Sequence, residues 1–259
     1  MLLNKCAGKL LKGAIQLSKL RRAQKKYQNT SLSENTIDFN KAKFKYKRID
    51  LLPKTITQES LILNLIDPKC YVSIAVGPAG TGKSYLAILA ALKSLKEGSC
   101  EKIVLTRPAV GVEEEKHGFL PGDLNDKMEP WTRPLLDIMK EFYSPQEVKK
   151  MIENETIEIS PLAFMRGRTF KNSWIVADEM QNATPNQIKM LLTRIGEGSR
   201  IVVTGDVEQT DKTQSNNGLL DLVTRLKRND YDGLRVTQFE SGDIQRHHII
   251  DKVLKIYSN

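Results

Sequence analysis

The chain has 259 residues, of which 40 are Lys or Arg and 31 are Asp or Glu, and its net charge is +9. This length suits one large α/β domain with an appendage, and no apolar run approaches the roughly 20 residues that span a bilayer. The sequence therefore predicts a protein without a transmembrane segment. Its three cysteines lie far apart without metal-ligand spacing, which favours reduced thiols and a cytoplasmic location.

The positive charge is concentrated near the N-terminus. Residues 1–50 contain 13 Lys or Arg and three acidic residues, whereas the rest of the chain is nearly neutral. Such an asymmetry predicts a basic arm that meets a polyanion, with a solvated tail as the alternative. Residues 1–27 are compatible with an amphipathic basic helix, and residues 41–47 alternate lysine with apolar side chains, as in a nucleic-acid surface or a protected edge strand. We therefore predict a basic N-terminal extension over residues 1–53.

From residue 54 to residue 259 the pattern predicts alternating strands and helices. The predicted strands are 72–76, 102–106, 156–159, 174–177, 200–204 and 234–239. The predicted helices are 58–66, 83–96, 131–142, 145–153, 185–195, 219–227 and 245–257. Strands separated by helices form a mostly parallel sheet with helices on both faces, so the sequence predicts an α/β fold for this domain.

One segment matches the phosphate-binding pattern GxxxxGK[ST], between the first predicted strand and the next helix. It consists of Gly77, Pro78, Ala79, Gly80, Thr81, Gly82, Lys83 and Ser84. Glycines let the backbone turn its N–H groups inward, which makes a nest for anionic oxygens at a helix N-terminus. Lys83 would reach the β- and γ-phosphates and the Ser84 hydroxyl would bind Mg²⁺. The segment, together with Tyr85, predicts a site for a nucleoside triphosphate.

Two carboxylates follow the predicted strand 174–177. Asp178 would lie at the carboxyl end of that strand, where open α/β sheets bind ligands. We expect Asp178 to hold Mg²⁺ through water and Glu179 to orient or deprotonate the attacking water. An acidic cap at a helix N-terminus is the alternative interpretation.

Two glutamines complete the predicted site. Gln209 follows strand 200–204, which brings Thr204 and Asp206 to the same edge of the sheet, and its amide could sense the γ-phosphate or position water. Gln58 precedes the phosphate loop and could contact the adenine edge, although a lone glutamine is ordinary.

The order of these motifs separates the chain from other phosphate-loop classes. It lacks the Asn-Lys-x-Asp segment with which GTPases recognise guanine. Arg166 and Arg168 could resemble the arginine-rich lid of a kinase, but they precede Asp178 in the chain. The combination of Gln58, the phosphate loop, the Asp-Glu pair and the Gly-Asp-x-x-Gln segment therefore favours an ATPase with helicase-like motifs.

These motifs resemble the PhoH-like family, whose core is similar to the first RecA-type domain of superfamily 1 helicases. Further segments of residues 54–257 fit the pattern of that family. They are Thr106-Arg107-Pro108, Gly118-Phe119-Leu120-Pro121-Gly122-Asp123, Pro130-Trp131-x-Arg133-Pro134-Leu135, Met165-Arg166-Gly167-Arg168-Thr169, Asp178-Glu179-Met180-Gln181-Asn182 and Asp243-Ile244-x-Arg246-His247.

The resemblance implies ATP binding and hydrolysis with Mg²⁺, and action on RNA in some members. It implies that residues 77–84 bind phosphates and Mg²⁺, that Asp178 and Glu179 serve metal and water, and that Gln209 senses phosphate. The candidates for stabilising transition-state charge are Arg107, Arg166, Arg168 and Arg246. A structural ion pair or an RNA contact is the alternative role for each arginine.

The chain is expected to differ from the PhoH-like pattern in two ways. We expect no nuclease domain of the kind that precedes the core in some relatives, because residues 1–53 are too short for one, and we expect no second RecA-like domain in this chain. A single domain could act as a motor only if other subunits supply the missing face, so we expect a homo-oligomer, such as a ring.

Three functions remain open from the sequence. The first is an oligomeric ATPase that couples hydrolysis to nucleic-acid binding or remodelling, with RNA favoured over DNA. The second is an ATP-dependent switch or assembly factor with negligible turnover. A nucleoside or nucleotide kinase is the third.

Overall fold

The computed structural model describes residues 48–108, 124–208, 217–229 and 231–245, without the side chains of residues 124–131. All of these residues belong to the compact unit Phe44–Asn259. The predicted helix at 1–27, the alternating segment 41–47 and the predicted helix at 245–257 beyond its first residue lie outside the described residues. The division of the chain at residues 53 and 54 stays a prediction.

Six parallel strands form one sheet in the spatial order β3-β2-β4-β5-β1-β6. The strands are β1 (Val72–Val76), β2 (Lys102–Thr106), β3 (Ile157–Ile159), β4 (Ser173–Ala177), β5 (Arg200–Gly205) and β6 (Leu234–Gln238). Every residue of β1 and β4 is buried, as expected for strands covered on both faces. The predicted α/β fold with a parallel sheet is confirmed.

Within the described ranges, six α-helices accompany the strands. They are α1 (Ile56–Ile66), α2 (Lys83–Lys96), α3 (Leu124–Lys140), α4 (Pro145–Glu153), α5 (Pro185–Leu192) and α6 (Gly218–Leu226). The side chains of Thr55, Ser144, Thr184 and Asn217 cap α1, α4, α5 and α6 by accepting a backbone N–H. Helix α2 differs, because its N-cap is Gly82 and no side chain caps it.

Apolar side chains pack on both faces of the sheet. Along β4, Trp174 and Val176 belong to a cluster with helices α1–α4, while Ile175 and Ala177 belong to a second cluster with α5 and α6. This alternation follows from the two-residue period of a strand. The core therefore holds the carboxyl ends of the central strands in fixed positions. No helix within the described ranges is long and apolar enough to cross a membrane.

Two helix boundaries differ from the sequence prediction by three residues or more. Helix α3 begins at Leu124 rather than at residue 131 and continues through Pro130 and Pro134, although proline favours a helix start over a helix interior. Helix α5 ends at Leu192 rather than at residue 195. It ends early because Ile195 forms an isolated bridge with Phe170, which draws the chain out of the helix.

Candidate nucleotide-binding site

The predicted phosphate loop and carboxylates meet at the carboxyl edge of the sheet. Strand β5 lies between β1 and β4, so the loop after β1 and the carboxylates after β4 flank the end of β5. A cavity of about 240 Å³ lies at this edge. Its lining residues are Ala79, Gly80, Gly82, Lys83, Ser84, Tyr85, Asp178, Glu179, Gly205 and Asp206. Because small-molecule sites usually measure roughly 300–1,000 Å³, this cavity suits phosphates and a metal better than a whole nucleotide.

The backbone of the phosphate loop has the shape of an anion nest. Gly80 and Gly82 both have φ of +86°, a left-handed conformation that glycine adopts without strain. Gly77 has φ of +137°, and a Cβ there would lie 2.4 Å from the Phe239 carbonyl oxygen. Together with the absence of a side-chain cap on α2, this backbone fits a phosphate group at the N-terminus of the helix.

Lys83 lies within the loop and is 7% exposed. Its Nζ donates to the carbonyl oxygens of Gly77 and Pro78, each at 2.7 Å, and to Thr81 Oγ1 at 3.2 Å. These contacts hold the ammonium against the backbone that would surround a phosphate. The predicted role of Lys83 in binding phosphate stays a prediction that this position supports.

Asp178 and Ser84 come together as a metal site requires. Ser84 Oγ donates to Asp178 Oδ1 at 2.7 Å, and Thr204 Oγ1 donates to the same oxygen. Asp178 is 7% exposed, so its carboxylate is held between α2 and β5. Hydroxyl and carboxylate oxygens are the ligands that Mg²⁺ prefers, and these residues therefore fit that ion.

Glu179 is held differently from its neighbour. Its backbone is left-handed, with φ of 54° and ψ of 38°, and its side chain is 39% exposed. Arg107 Nη2 lies 3.6 Å from Glu179 Oε1, and Gln181 Nε2 donates to Glu179 Oε2 at 2.6 Å. The partial exposure of this carboxylate suits a group that meets a water molecule.

Gln58 supports the loop from the other side. Its Nε2 donates to the Thr81 carbonyl oxygen at 3.0 Å, and its Oε1 accepts from the Lys54 backbone N–H at 2.8 Å. A Cβ at Gly82 would lie 3.0 Å from the same Nε2 atom. These contacts give Gln58 a role in shaping the loop, and the predicted adenine contact stays a prediction.

Tyr85 lines the cavity from the first turn of α2. Its hydroxyl donates to Glu141 Oε2 at 3.2 Å. Burial and, second, the Glu141 carboxylate raise the pKa of the Tyr85 hydroxyl. Tyr85 therefore stays an uncharged donor at neutral pH, next to the phosphate loop.

Gln209 and Arg246 lie outside the described residues, so their predicted roles stay predictions. The described residues before them do reach the site. Asp206 Oδ1 accepts from the Glu208 backbone N–H at 3.1 Å, and the Gln245 backbone N–H donates to the Gly80 carbonyl oxygen at 2.9 Å. Gln245 therefore contacts the phosphate loop, and Asp206, at the start of the other segment, lines the cavity.

A family model described as PhoH-like protein matches residues 50–258. The chain belongs to the PhoH-like family. A PhoH-like protein of Synechocystis sp. is 44% identical over 72% of this chain, and one of Bacillus subtilis is 42% identical over 70%. Protein PhoH of Escherichia coli K12 is 35% identical over 71%. The matches span 52–56% of those relatives, so the chain covers about half the length of the curated proteins that it resembles.

A solved structure, the SWI2/SNF2 ATPase core of Sulfolobus solfataricus in complex with double-stranded DNA, is 14% identical to the chain. The match has a TM-score of 0.39 and covers 73% of this chain and 44% of that one. The classification of this PhoH-like chain accordingly rests on the family match and on its own phosphate loop.

The arginines of the PhoH-like pattern occupy different environments. Arg107 lies beside Glu179, as given above. Arg168 forms two hydrogen bonds with Glu158 and lies 4.5 Å from the ring centre of Phe170, so it has a structural ion pair. Arg166 is exposed and forms no ion pair with any residue in the described ranges. Of these three, Arg107 is the one in contact with a predicted catalytic residue.

One residue of the PhoH-like site was missed as a functional candidate. Gln181 was noted only as part of the family pattern, yet it is 3% exposed and contacts Glu179. Its spacing of two residues from Glu179 could have suggested a contact, because a tight turn brings such side chains together. Its second contact, with the Asp206 backbone N–H, depends on the position of β5 and is visible only in the structure.

A larger cavity of about 970 Å³ lies elsewhere in this PhoH-like chain. Leu65, Trp174 and Leu234 contribute to its lining, together with residues at the amino ends of β1, β4 and β5. None of the predicted site residues lines it. Cavity size alone would therefore select the wrong edge of the sheet, because in open α/β sheets ligands bind at the carboxyl ends of the strands.

Proposed function

We propose that the chain is an ATPase that hydrolyses ATP with Mg²⁺. The contact between Ser84 and Asp178, with Glu179 as the next residue, carries this proposal. It joins the phosphate loop after β1 to the two carboxylates after β4. The arrangement supports binding of a triphosphate and activation of water at one place.

Each residue of the site has a proposed role that follows from its chemistry. Lys83 and the backbone N–H groups of the loop would bind the phosphate oxygens, while Ser84 and Asp178 would hold Mg²⁺. The metal ion, when bound, neutralises charge on the phosphates. Glu179 would accept a proton from the water whose oxygen attacks the γ-phosphorus, and ADP would leave with the bridging oxygen. Its partial exposure supports this role, because the base must meet water.

We further propose that hydrolysis is coupled to a nucleic acid, with RNA favoured. The basic first 50 residues support a polyanionic partner. A second support lies near the site, where Phe164 is 59% exposed and Arg166 is exposed beside it. This segment follows Leu162, whose backbone N–H donates to the Arg107 carbonyl oxygen at 3.4 Å. Exposed aromatic and arginine side chains are typical of surfaces that bind single strands.

The proposal includes a homo-oligomer, such as a ring, in the cytoplasm. One α/β unit presents the phosphate loop at a sheet edge, and a neighbouring subunit could supply an arginine to it. Arg246 remains a candidate for a residue that acts within or between subunits.

ATP hydrolysis by the wild type and by Glu179→Gln tests the proposal, with and without single-stranded RNA or DNA. Glu153→Gln is the matched control, because that glutamate belongs to an exposed ion pair on α4. We expect turnover in the wild type and the control, a loss of at least about 100-fold in Glu179→Gln, and stimulation by RNA. Phosphate release at the same rate in Glu179→Gln would refute the assigned base, and no response to either strand would refute the coupling.

An ATP-dependent switch with negligible turnover is the second candidate. The observation that favours it is the ion pair of Arg107 with Glu179 at 3.6 Å, since a carboxylate oxygen that faces an arginine is less free to contact a water molecule. Solution mass with and without ATP distinguishes this candidate. A change in mass without phosphate release under any condition would favour the switch.

A further inference from the structure

Gln181 lies in the short 3₁₀ segment Met180–Asn182 that follows Glu179. Its side chain is almost fully buried, and its Nε2 donates to Glu179 Oε2 at 2.6 Å. A buried amide that donates to a partly exposed carboxylate restricts where that carboxylate can lie. The other oxygen of Glu179 faces Arg107 at 3.6 Å.

The other end of the same amide contacts the end of strand β5. Gln181 Oε1 accepts from the Asp206 backbone N–H at 3.1 Å. A Cβ at Gly205 would lie 2.6 Å from this oxygen, so the glycine leaves the space that the amide fills. One side chain therefore connects the carboxylate after β4 with the backbone after β5.

We propose that Gln181 is a positioning residue for Glu179, which it holds in register with the Gly205–Asp206 turn. This inference rests on the proposed ATPase function. Glutamate has three side-chain torsions, and a misplaced catalytic group can cost about 100-fold in rate. Without the amide, Arg107 would be the charged neighbour that attracts Glu179. Gln181 thus keeps the base near the water that it activates and links it to the segment that leads to Gln209.

The hydrogen bonds that join Gln181 to Glu179 and to the Asp206 N–H can be separated by substitution. Gln181→Glu keeps an oxygen that can accept from the Asp206 N–H but removes the donor to Glu179. Gln181→Met keeps the approximate volume and removes both bonds. The two variants differ in the charge that they introduce beside Glu179, but both lack the donor to it. A loss of kcat that both variants share therefore reports the missing donor rather than the added carboxylate.

The experiment measures kcat, KM and ATP affinity for the wild type, Gln181→Glu and Gln181→Met. Gln187→Met is the matched control, because Gln187 uses its amide in the capping box of α5. We expect both Gln181 variants to lose 10- to 100-fold in kcat while KM and ATP affinity change less than about twofold, since they leave Lys83 and Asp178 untouched. The control should keep the wild-type kcat. Activity of Gln181→Glu within twofold of the wild type would overturn the inference while leaving the ATPase proposal intact.

A double-mutant cycle in unfolding makes the contact testable apart from turnover. Its members are the wild type, Glu179→Ala, Gln181→Met and the double variant, and contacting residues give non-additive changes in stability. Additive changes would overturn the inference. A wild type that does not hydrolyse ATP would refute the proposed function and with it the positioning role, whichever result the cycle gives.

Discussion

Gly77→Ala tests whether the phosphate loop is packed tightly against Phe239, the residue that follows strand β6. The new Cβ would lie 2.4 Å from the Phe239 carbonyl oxygen and 2.8 Å from Phe239 Cβ. Phe239 cannot move freely away from the new Cβ, because its backbone N–H donates to the Val76 carbonyl oxygen at 2.7 Å. The substitution therefore adds a steric clash to an unfavourable backbone angle, φ of +137°.

Gly98→Ala separates these two effects. Gly98 has φ of +73°, and a Cβ there would meet no atom within 4 Å, so alanine introduces only backbone strain. A left-handed conformation costs an L-residue about 1–2 kcal/mol. Overpacking adds about 1–3 kcal/mol, so we expect Gly77→Ala to cost about 2–5 kcal/mol in total.

The assay is unfolding of the full chain by urea and by heat, without nucleotide. For a protein of this size each kcal/mol lowers Tm by about 2–4 °C, so Gly77→Ala should lower it by about 4–20 °C and Gly98→Ala by about 2–8 °C. ATP affinity should fall in Gly77→Ala alone, because the Gly77 carbonyl accepts from Lys83. Equal losses of stability in the two variants would refute the steric argument.

Three further predictions concern stability, pH and thiol reactivity. Arg200 Nη1 donates to the carbonyl oxygens of Leu65 and Asp67 at 3.1 and 2.7 Å, so Arg200→Met should lower the free energy of unfolding in urea by about 1.5–3 kcal/mol. The control is Arg166→Met, at an exposed position, which should change this free energy by no more than about 0.5 kcal/mol. Equal effects of the two substitutions would contradict this reasoning. Burial acts to raise the pKa of Glu158, but hydrogen bonds from Arg168 and Lys102 hold that pKa below its usual value. Because the folded pKa is the lower one, Glu158 stabilises the fold above the unfolded pKa of about 4.3 and loses this contribution as pH falls through the folded pKa. The stability difference between the wild type and Glu158→Gln should therefore be largest at pH 7 and shrink towards pH 3, and a constant difference would count against it. Burial raises the pKa of the Cys100 thiol, so mass spectrometry should find alkylation by iodoacetamide at pH 8 much slower in the native chain than in urea, and equal rates would show that the thiol is accessible.

The phosphate loop and its flanking elements were predictable because their signals are local. Strand β1 and helix α2 have the predicted bounds, since a buried apolar run, a glycine-rich turn and a helical pattern follow one another directly. The start of α3 was not predictable by the same means. Pro130 and Pro134 disfavour a helix interior locally, yet the observed helix begins at Leu124 and includes both prolines.

The contacts of the site depend on strand order, which periodicity does not encode. The sequence predicted that Asp178 and Thr204 reach one edge, but their hydrogen bond requires β4 and β5 to be neighbours. The bridge formed by Gln181 depends on the same adjacency. Gln58 illustrates a related limit of the sequence. Its position before the phosphate loop was evident from the sequence, but its hydrogen bond to the Thr81 carbonyl oxygen was not.

The two adjacent carboxylates, of Asp178 and Glu179, lie in environments that suit different chemistry. Asp178 is buried and one of its oxygens accepts from both Ser84 and Thr204, so its position is fixed by α2 and β5. Glu179 is partly exposed on a left-handed turn, where Gln181 and Arg107 hold its two oxygens. A metal ligand benefits from a fixed oxygen, whereas a base must reach water and exchange a proton with it. The environments of these carboxylates therefore support the assignment of Asp178 to the metal and Glu179 to the water.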